Sequence, residues 1–162
     1  FLGVAPEEYP LLYFLLLTNI DRIVFSPDVA PGVGRITIDE YRHMSSAGLS
    51  AAAARLVKRA RARGWSVTTI DQDIQSFVGI GGSGGRDEIE NNVMILQNNN
   101  QILFGKTSSA ALPEVTRLFP DLRQEHLDFM VQARPGEFVV YTPEHIETIY
   151  VPLTPREQEH LL

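Results

Sequence analysis

The chain contains no cysteine in its 162 residues. A disulfide framework and a metal site built on thiolates are therefore excluded, and the composition is compatible with a reducing compartment. Four histidines are scattered along the sequence without the spacing of metal ligands, at positions 43, 126, 145 and 160. A metal cluster is therefore not expected.

Long hydrophobic runs are also absent. The longest apolar run, Leu11–Leu17, is far shorter than the roughly 20 residues that a membrane-spanning helix needs, and no secretory signal is visible. The chain length and the apolar fraction of 44% instead predict one globular domain over residues 1–162. Because the sequence begins with Phe1 and not with methionine, we expect it to be either a fragment of a longer protein or a processed form.

Positive charge is scarce, with 14 lysines and arginines against 20 aspartates and glutamates and a formal net charge of -6. A uniformly basic surface for nucleic acids is therefore excluded. A local basic cluster remains at Lys58, Arg59, Arg61 and Arg63. Such residues are typical of a solvated helix C-terminus, but an arginine there can also reach a phosphate across a subunit interface.

Helix and strand patterns alternate through the middle of the chain, which predicts an α/β fold. Strands are predicted at Arg35–Asp39, Val67–Ile70, Ile102–Gly105, Phe138–Tyr141 and Ile146–Val151. The second is expected to be fully buried because it is β-branched, and the last two are expected to form a terminal hairpin. Helices are predicted at Leu11–Ile20, Ser50–Arg63, Asp71–Val78, Glu88–Gln97, Leu112–Phe119, Arg123–Ala133 and from Pro155 onwards. The first of these is expected to be buried on most sides. Ser50 is expected to be the N-cap of the second, and Leu127 and Met130 are expected to face the core. The alternation favours a mostly parallel sheet with helices on both faces, and residues 79–85 are typical of a flexible glycine-rich loop.

Acidic and amide side chains follow two of these strands. Asp39 and Glu40 come directly after the first strand, and Gln72 follows the second. Because functional groups collect at the carboxyl ends of parallel strands, we expect these three residues to share one rim of the sheet. A carboxylate pair there can hold magnesium and activate a water, and an amide can sense a phosphate. A solvated acidic pair and a polar turn residue are the plainer alternatives.

A phosphate-binding loop is missing from this pattern. Enzymes that use an Asp-Glu strand end for nucleotide hydrolysis also need Gly-x-x-x-x-Gly-Lys-Ser/Thr. Gly105-Lys106-Thr107 comes nearest, but Asn100 stands at the first glycine position and Ile102–Phe104 has the pattern of a strand. The glycine-rich segment 79–85 has no Lys-Ser/Thr after it. We therefore expect neither segment to bind phosphate.

Taken in order, several segments resemble one known family, the traffic ATPases of type IV secretion and conjugation. The segments are YPLLYFLLLTNI, RITIDEYRHM, RLVKRARARGWSVTTIDQDIQSF, IENNVMILQNNNQILFGK and LDFMVQARPGEFVV. They resemble the C-terminal half of the VirB/TraC/TrbE-type proteins, which belong to the FtsK-HerA class. The resemblance implies a RecA-like fold that here lacks its phosphate-loop segment, with that loop N-terminal to Phe1.

The resemblance also implies roles for individual residues. Asp39 matches the magnesium-side aspartate of the Walker B strand and Glu40 its catalytic base, while Gln72 matches a phosphate-sensing glutamine. Arg61 matches an arginine that acts in trans. The chain departs from the family pattern at Ala62, where a lysine is common, and at Asp71, where a threonine is usual.

The function that the resemblance implies is ATP hydrolysis that powers conjugative transfer or type IV secretion. ATP and Mg²⁺ are then the ligands of the full-length protein, and this part alone is expected to be inactive. The expected partners are further copies in a ring, with a hexamer foremost, other machinery subunits at the cytoplasmic face of the inner membrane, and a DNA or protein substrate. A non-catalytic assembly subunit and a related DNA-pumping motor are the alternatives.

Overall fold

The computed structural model describes residues 8–32, 34–46, 48–75, 86–152 and 154. The glycine-rich loop predicted at 79–85 and the tail helix predicted from Pro155 lie outside these residues, as does the end of the helix predicted at Asp71–Val78. The chain divides into two compact units, Phe1–Asn98 and Asn99–Leu162. Each unit is described by itself, and a single domain over residues 1–162 stays a prediction.

The first unit combines helices with two short strands, as the alternating pattern predicts. Its helices are α1 (Tyr9–Val24), α2 (Tyr41–Ser46), α3 (Ser50–Ala62) and α4 (Arg86–Gln97), and its strands are β1 (Arg35–Ile38) and β2 (Ser66–Thr69). Pro10 stands in the first turn of α1, where its missing N–H costs no helical hydrogen bond. Gly64 stops α3 with a φ of 76°, a left-handed conformation that glycine adopts without steric cost.

Strands β1 and β2 pair in parallel, with Ile36 opposite Val67 and Ile38 opposite Thr69. A parallel pair needs a crossover, and α2 and α3 supply it. The two inward side chains of β1, Ile36 and Ile38, are buried. The β-branched sequence of β2 predicts full burial, but the strand is only half-buried, because alternate residues face outwards.

The core of the first unit lies between α3 and its neighbours. One face of α3 is buried and consists mainly of small side chains, which are Ser50, Ala53, Ala54, Leu56, Val57 and Ala60. Small residues let a neighbouring helix approach closely, and α4 packs on this helix with Ile95 and Leu96 buried. Leu49, not Ser50, stands at the N-cap of α3, so the predicted serine cap is wrong.

Helix α1 is more exposed than its apolar sequence predicts. Only Leu17 and Val24 are buried, whereas Leu11 is 63% exposed and Phe14 is 51% exposed. The prediction of a helix buried on most sides is therefore wrong for the described residues. No described helix combines the length and the apolar character that crossing a membrane requires.

The second unit is built on an antiparallel sheet. It contains β3 (Ile102–Phe104), a 3₁₀ turn (Ser109–Ala111), α5 (Leu112–Leu118), α6 (Gln124–Gln132), β4 (Glu137–Tyr141) and β5 (Ile146–Tyr150). The strand order is β3-β4-β5, and the predicted terminal hairpin is the β4–β5 pair. Among the described strands, parallel pairing is therefore confined to β1 and β2. The α/β class is confirmed, but the described pairing does not show a mostly parallel sheet.

Three aromatic rings organise the core of the second unit. Phe119 lies edge-on to Phe104 at a centroid distance of 5.2 Å and edge-on to Tyr141 at 5.1 Å. On α6, Met130 is fully buried and Leu127 is buried, so the predicted inward face of that helix is confirmed. Burial raises the pKa of Tyr141, and the Asp121 carboxylate, 3.4 Å from its hydroxyl, raises it further.

Candidate functional site

The carboxyl ends of β1 and β2 form one rim, as predicted from their sequence. The backbone ladder continues past the strands, because the Ile70 N–H donates to Ile38 O at 2.8 Å and the Tyr41 N–H donates to Ile70 O at 3.1 Å. The residues that follow each strand are thereby brought side by side. Gln72 Nε2 donates directly to Glu40 Oε1, so two of the predicted site residues are in contact.

Glu40 has an unusual backbone conformation. Its φ of 52° is the only positive value at a non-glycine residue in the described part of the chain. Its N–H donates to Asp39 Oδ1 at 2.9 Å, which helps to hold this turn. A left-handed residue other than glycine carries a cost of about 1–2 kcal/mol, and such residues collect at functional sites. The conformation singles out Glu40 independently of its chemistry.

The two oxygens of the Glu40 carboxylate have different surroundings. Oε1 accepts a hydrogen bond from the Gln72 amide. Oε2 lies 2.9 Å from Arg42 Nε, an ion-pair distance. Oε2 is buried and accepts no hydrogen bond from the described residues. One oxygen is therefore fixed by Gln72, while the other is shielded from solvent beside Arg42.

Asp71 ties the two strand ends together. Its Oδ2 accepts the Arg42 N–H at 2.7 Å, and its Oδ1 accepts the Gln72 N–H at 2.7 Å. The first N–H groups of a helix have no partner inside the helix, and Asp71 supplies one to α2. The sequence pattern indicates Asp71 as a negative charge beside Gln72 and as a departure from a family pattern, but not as a link between the two strand ends. Its position directly after a strand, opposite the start of a helix, is the signal that identifies this role.

Tyr41 and Asn92 link the rim to α4. Both side chains are fully buried, and the Tyr41 hydroxyl donates to Asn92 Oδ1 at 2.8 Å. Tyr41 is the residue after Glu40, so this bond fixes the backbone next to the candidate base. The 51 positions that separate the two residues explain why sequence reasoning missed the pair.

The Tyr41→Phe variant tests how much this buried bond contributes. Removing one partner of a buried hydrogen bond costs about 1–3 kcal/mol, and the phenylalanine ring preserves the packing. We therefore expect the free energy of unfolding to fall by about that amount in urea denaturation. Tyr150→Phe, at a side chain that is 65% exposed, is the control and should change little. Equal stability of the two variants would show that the Tyr41–Asn92 bond contributes nothing net.

Arg61 does not lie at this rim. It stands in the last turn of α3, before β2 begins, whereas Gln72 follows the end of β2. Four extended residues span about 13 Å, so the two residues lie at opposite ends of the strand. The Arg61 guanidinium donates to the Asn98 carbonyl oxygen, just past the end of α4. Within one chain, Arg61 therefore donates a hydrogen bond at the C-terminus of α4 and lies away from the rim.

The rim offers limited ligands for a metal ion. Asp39 is exposed at the end of β1, with Glu40 beside it. No described group of three or more histidine, aspartate or glutamate side chains is arranged to hold a metal. Magnesium bound at a nucleotide commonly takes only one or two carboxylates and completes its shell with water and phosphate oxygens. The donors at Asp39 therefore fit magnesium only together with a nucleotide.

Gly105-Lys106-Thr107 has the wrong structure for a phosphate loop. The segment leaves the antiparallel strand β3, and the Thr107 N–H donates to Met130 O at 3.0 Å. The Thr107 hydroxyl donates to Gly105 O at 3.1 Å. A phosphate loop instead needs free backbone N–H groups that point at the phosphates. The geometry agrees with the expectation that this segment does not bind phosphate.

Comparison with solved structures finds a similar fold in part of a longer chain. One similar structure is VirB4 of Thermoanaerobacter pseudethanolicus, with a TM-score of 0.79 and 18% sequence identity. The match covers 98% of this chain and 41% of that one, so this chain spans about two fifths of its length. At this identity the likeness shows a shared fold. No protein-family model and no curated protein sequence matches the chain.

Proposed function

We propose that this chain is the C-terminal part of a RecA-like ATPase domain, in a protein that powers conjugative transfer or type IV secretion by hydrolysing ATP. The observation that carries the proposal is the Glu40–Gln72 contact at the joined ends of two parallel strands. The structural likeness to part of VirB4 supports it, because it covers nearly all of the chain. We propose likewise that residues 1–162 belong to one domain of that protein.

Glu40 is the proposed general base. Its Oε2 accepts no hydrogen bond from the described residues, and we propose that it takes the proton of an attacking water after the Arg42 side chain moves aside. Gln72 holds the other oxygen and so fixes the direction in which Oε2 points. The Gln72 amide has a second N–H, and we propose that this N–H contacts the terminal phosphate while the first stays on Glu40.

Asp39 is the proposed ligand on the magnesium side. Bound with ATP, the ion would neutralise charge that develops on the phosphate oxygens. Asp39 is exposed, and its Oδ1 accepts a hydrogen bond from the Glu40 N–H. The same side chain therefore orients the base and offers an oxygen to the metal or to a water of its shell.

The phosphate loop is proposed to lie N-terminal to Phe1 in the longer protein. Parallel sheets are nearly always larger than two strands and covered on both faces. The described residues pair β1 only with β2, so a further strand can join the outer edge of either one. A mostly parallel RecA-like sheet with helices on both faces would be completed in this way.

Arg61 is proposed to act in trans, on a nucleotide bound by a neighbouring copy. Its place at the far edge from Glu40 suits contact between copies better than contact within one chain. This role requires a ring of copies, for which a hexamer is our proposal. The proposed location is the cytoplasmic face of the inner membrane, beside other subunits of the machinery, with DNA or protein as the transferred substrate.

A non-catalytic assembly subunit is the second candidate. The observation that favours it is Asp71, which stands where a sensor threonine is usual and instead bonds to the Arg42 and Gln72 N–H groups. A negative charge beside the phosphate path opposes nucleotide binding. A DNA-pumping relative is less favoured, because the net charge of -6 opposes contact with DNA.

The chain by itself is expected to bind ATP weakly, with a dissociation constant in the millimolar range or above, and not to hydrolyse it. The reason is that a phosphate loop supplies both the backbone N–H groups and the lysine that hold the phosphates. Isothermal titration with a non-hydrolysable ATP analogue and Mg²⁺ measures this, with the longer protein as the control. Micromolar affinity of the isolated chain would contradict the expectation and would favour phosphate binding by Gly105-Lys106-Thr107.

A further inference from the structure

A groove lies between α3 and α4, away from the rim. Its volume is about 470 Å³, within the range of natural binding sites. The floor is apolar and buried, formed by Ala54, Val57 and Ile95.

One wall of the groove is an exposed methionine. Met94 projects from α4 into the groove and is 42% exposed, although its side chain is apolar. Methionine is flexible and polarisable, and it is over-represented at surfaces that accept varied apolar partners. The floor and this wall together form an apolar slot that is open to one side.

The opposite wall is cationic. Lys58 and Arg61 stand one turn apart on α3 and both line the groove. Helix α3 has no acidic residue to balance them. The neighbouring Arg59 is paired with Asp21 and so is neutralised, whereas Lys58 makes no hydrogen bond or ion pair with any described residue. Two like charges beside an apolar slot favour a ligand that carries negative charge.

We propose that this groove is a docking site for an acidic segment of a partner protein. One apolar side chain of that segment inserts between Val57 and Met94, and a flanking carboxylate pairs with Lys58, while Arg61 keeps its hydrogen bond to the Asn98 carbonyl oxygen and adds positive charge to the same wall. Amphipathic segments commonly bind in this manner, with apolar anchors in a groove and charges at the edge. The inference depends on the geometry of the first unit and not on ATP hydrolysis.

A labelled peptide tests the proposal directly. The probe is a fluorescein-labelled helical 14-residue peptide with leucines spaced three and four apart and glutamates elsewhere, and the matched peptide has lysine in place of every glutamate. Fluorescence anisotropy measures both against the full chain. We expect micromolar to submillimolar binding of the acidic peptide and at least tenfold weaker binding of the basic one.

Variants of the chain locate the site. Lys58→Glu should weaken binding of the acidic peptide by about three- to tenfold, the scale of reversing an exposed ion pair. Ala62→Leu, at an exposed position that lines the groove, should weaken it by narrowing the slot. Arg55→Glu changes charge equally on α3 but does not line the groove, and it should have little effect.

Three outcomes would overturn the proposal. They are equal binding of the acidic and basic peptides, equal loss in the Lys58→Glu and Arg55→Glu variants, and self-association of the chain that Lys58→Glu abolishes. The last outcome would assign the groove to a second copy of this chain, and analytical ultracentrifugation detects it. Circular dichroism of each variant confirms that the fold is retained.

Discussion

Replacing Glu40 by glutamine in the longer protein should lower the ATP turnover number by about 100-fold to 10,000-fold, the usual effect of losing a general base. Glutamine has nearly the same size and can still bond to Gln72, so the rim should keep its shape. It cannot accept a proton from the attacking water. The affinity for ATP and Mg²⁺ should change little, because the phosphate loop supplies most of the binding.

Two further variants separate loss of the base from loss of metal binding and from a nonspecific effect. Asp39→Asn should weaken magnesium-dependent nucleotide binding, which distinguishes the metal side of the rim from the base. Glu90→Gln, at an exposed residue of α4 paired with Arg86, should leave both turnover and affinity unchanged. Hydrolysis at the parental rate by the Glu40→Gln protein would mean that Glu40 is not the base.

Replacing Phe119 by alanine should lower the free energy of unfolding of the second unit by about 3–5 kcal/mol. The ring is buried, and its removal leaves a cavity between Phe104 and Tyr141. Each edge-on aromatic pair adds about 0.5–1.5 kcal/mol beyond the area that it buries. The loss therefore exceeds that of an ordinary apolar truncation.

Far-UV circular dichroism in urea measures this effect on the isolated chain. The single tryptophan, Trp65, lies in the first unit, so its fluorescence follows that unit separately. Leu103→Ala, at a side chain that is 50% exposed on β3, is the control and should cost under about 1 kcal/mol. A Phe119→Ala protein as stable as the Leu103→Ala protein would show that the aromatic cluster does not organise the second unit.

The rim could be predicted from sequence because it depends on two things: the local pattern of strands and helices, and the rule that functional groups collect at the carboxyl ends of parallel strands. Two β-branched runs separated by a helical segment predict a parallel pair, and the pairing of β1 with β2 confirms it. Asp39, Glu40 and Gln72 then follow as neighbours from their positions alone. Their chemical roles stay predictions, since the fold places side chains without showing what they bind.

The rest of the fold depends on contacts that local pattern does not encode. The short runs that become β3 and β4 have the same apolar character as β1 and β2, and only tertiary packing makes their pairing antiparallel. The apolar sequence of α1 likewise cannot show which of its faces will meet a neighbour. Leu11 and Phe14 are exposed for that reason, despite their hydrophobicity.

The groove and the buried polar pair were missed for a related reason. The sequence pattern places Lys58 and Arg61 in a basic cluster at a helix end, with an arginine acting in trans as the alternative, and it indicates no partner for Tyr41. Both features form only when α4 packs against the first part of the chain. They depend on contacts between residues more than thirty positions apart.

The most direct test of the proposed function is a structure of the longer protein with Mg²⁺ and a transition-state analogue such as ADP with aluminium fluoride. The proposal predicts the analogue at the rim, with a water between Glu40 Oε2 and the γ-phosphate position, the Gln72 amide within hydrogen-bond distance of that group, and Asp39 in the magnesium shell. A nucleotide bound elsewhere, with Glu40 still held between Gln72 and Arg42, would contradict it.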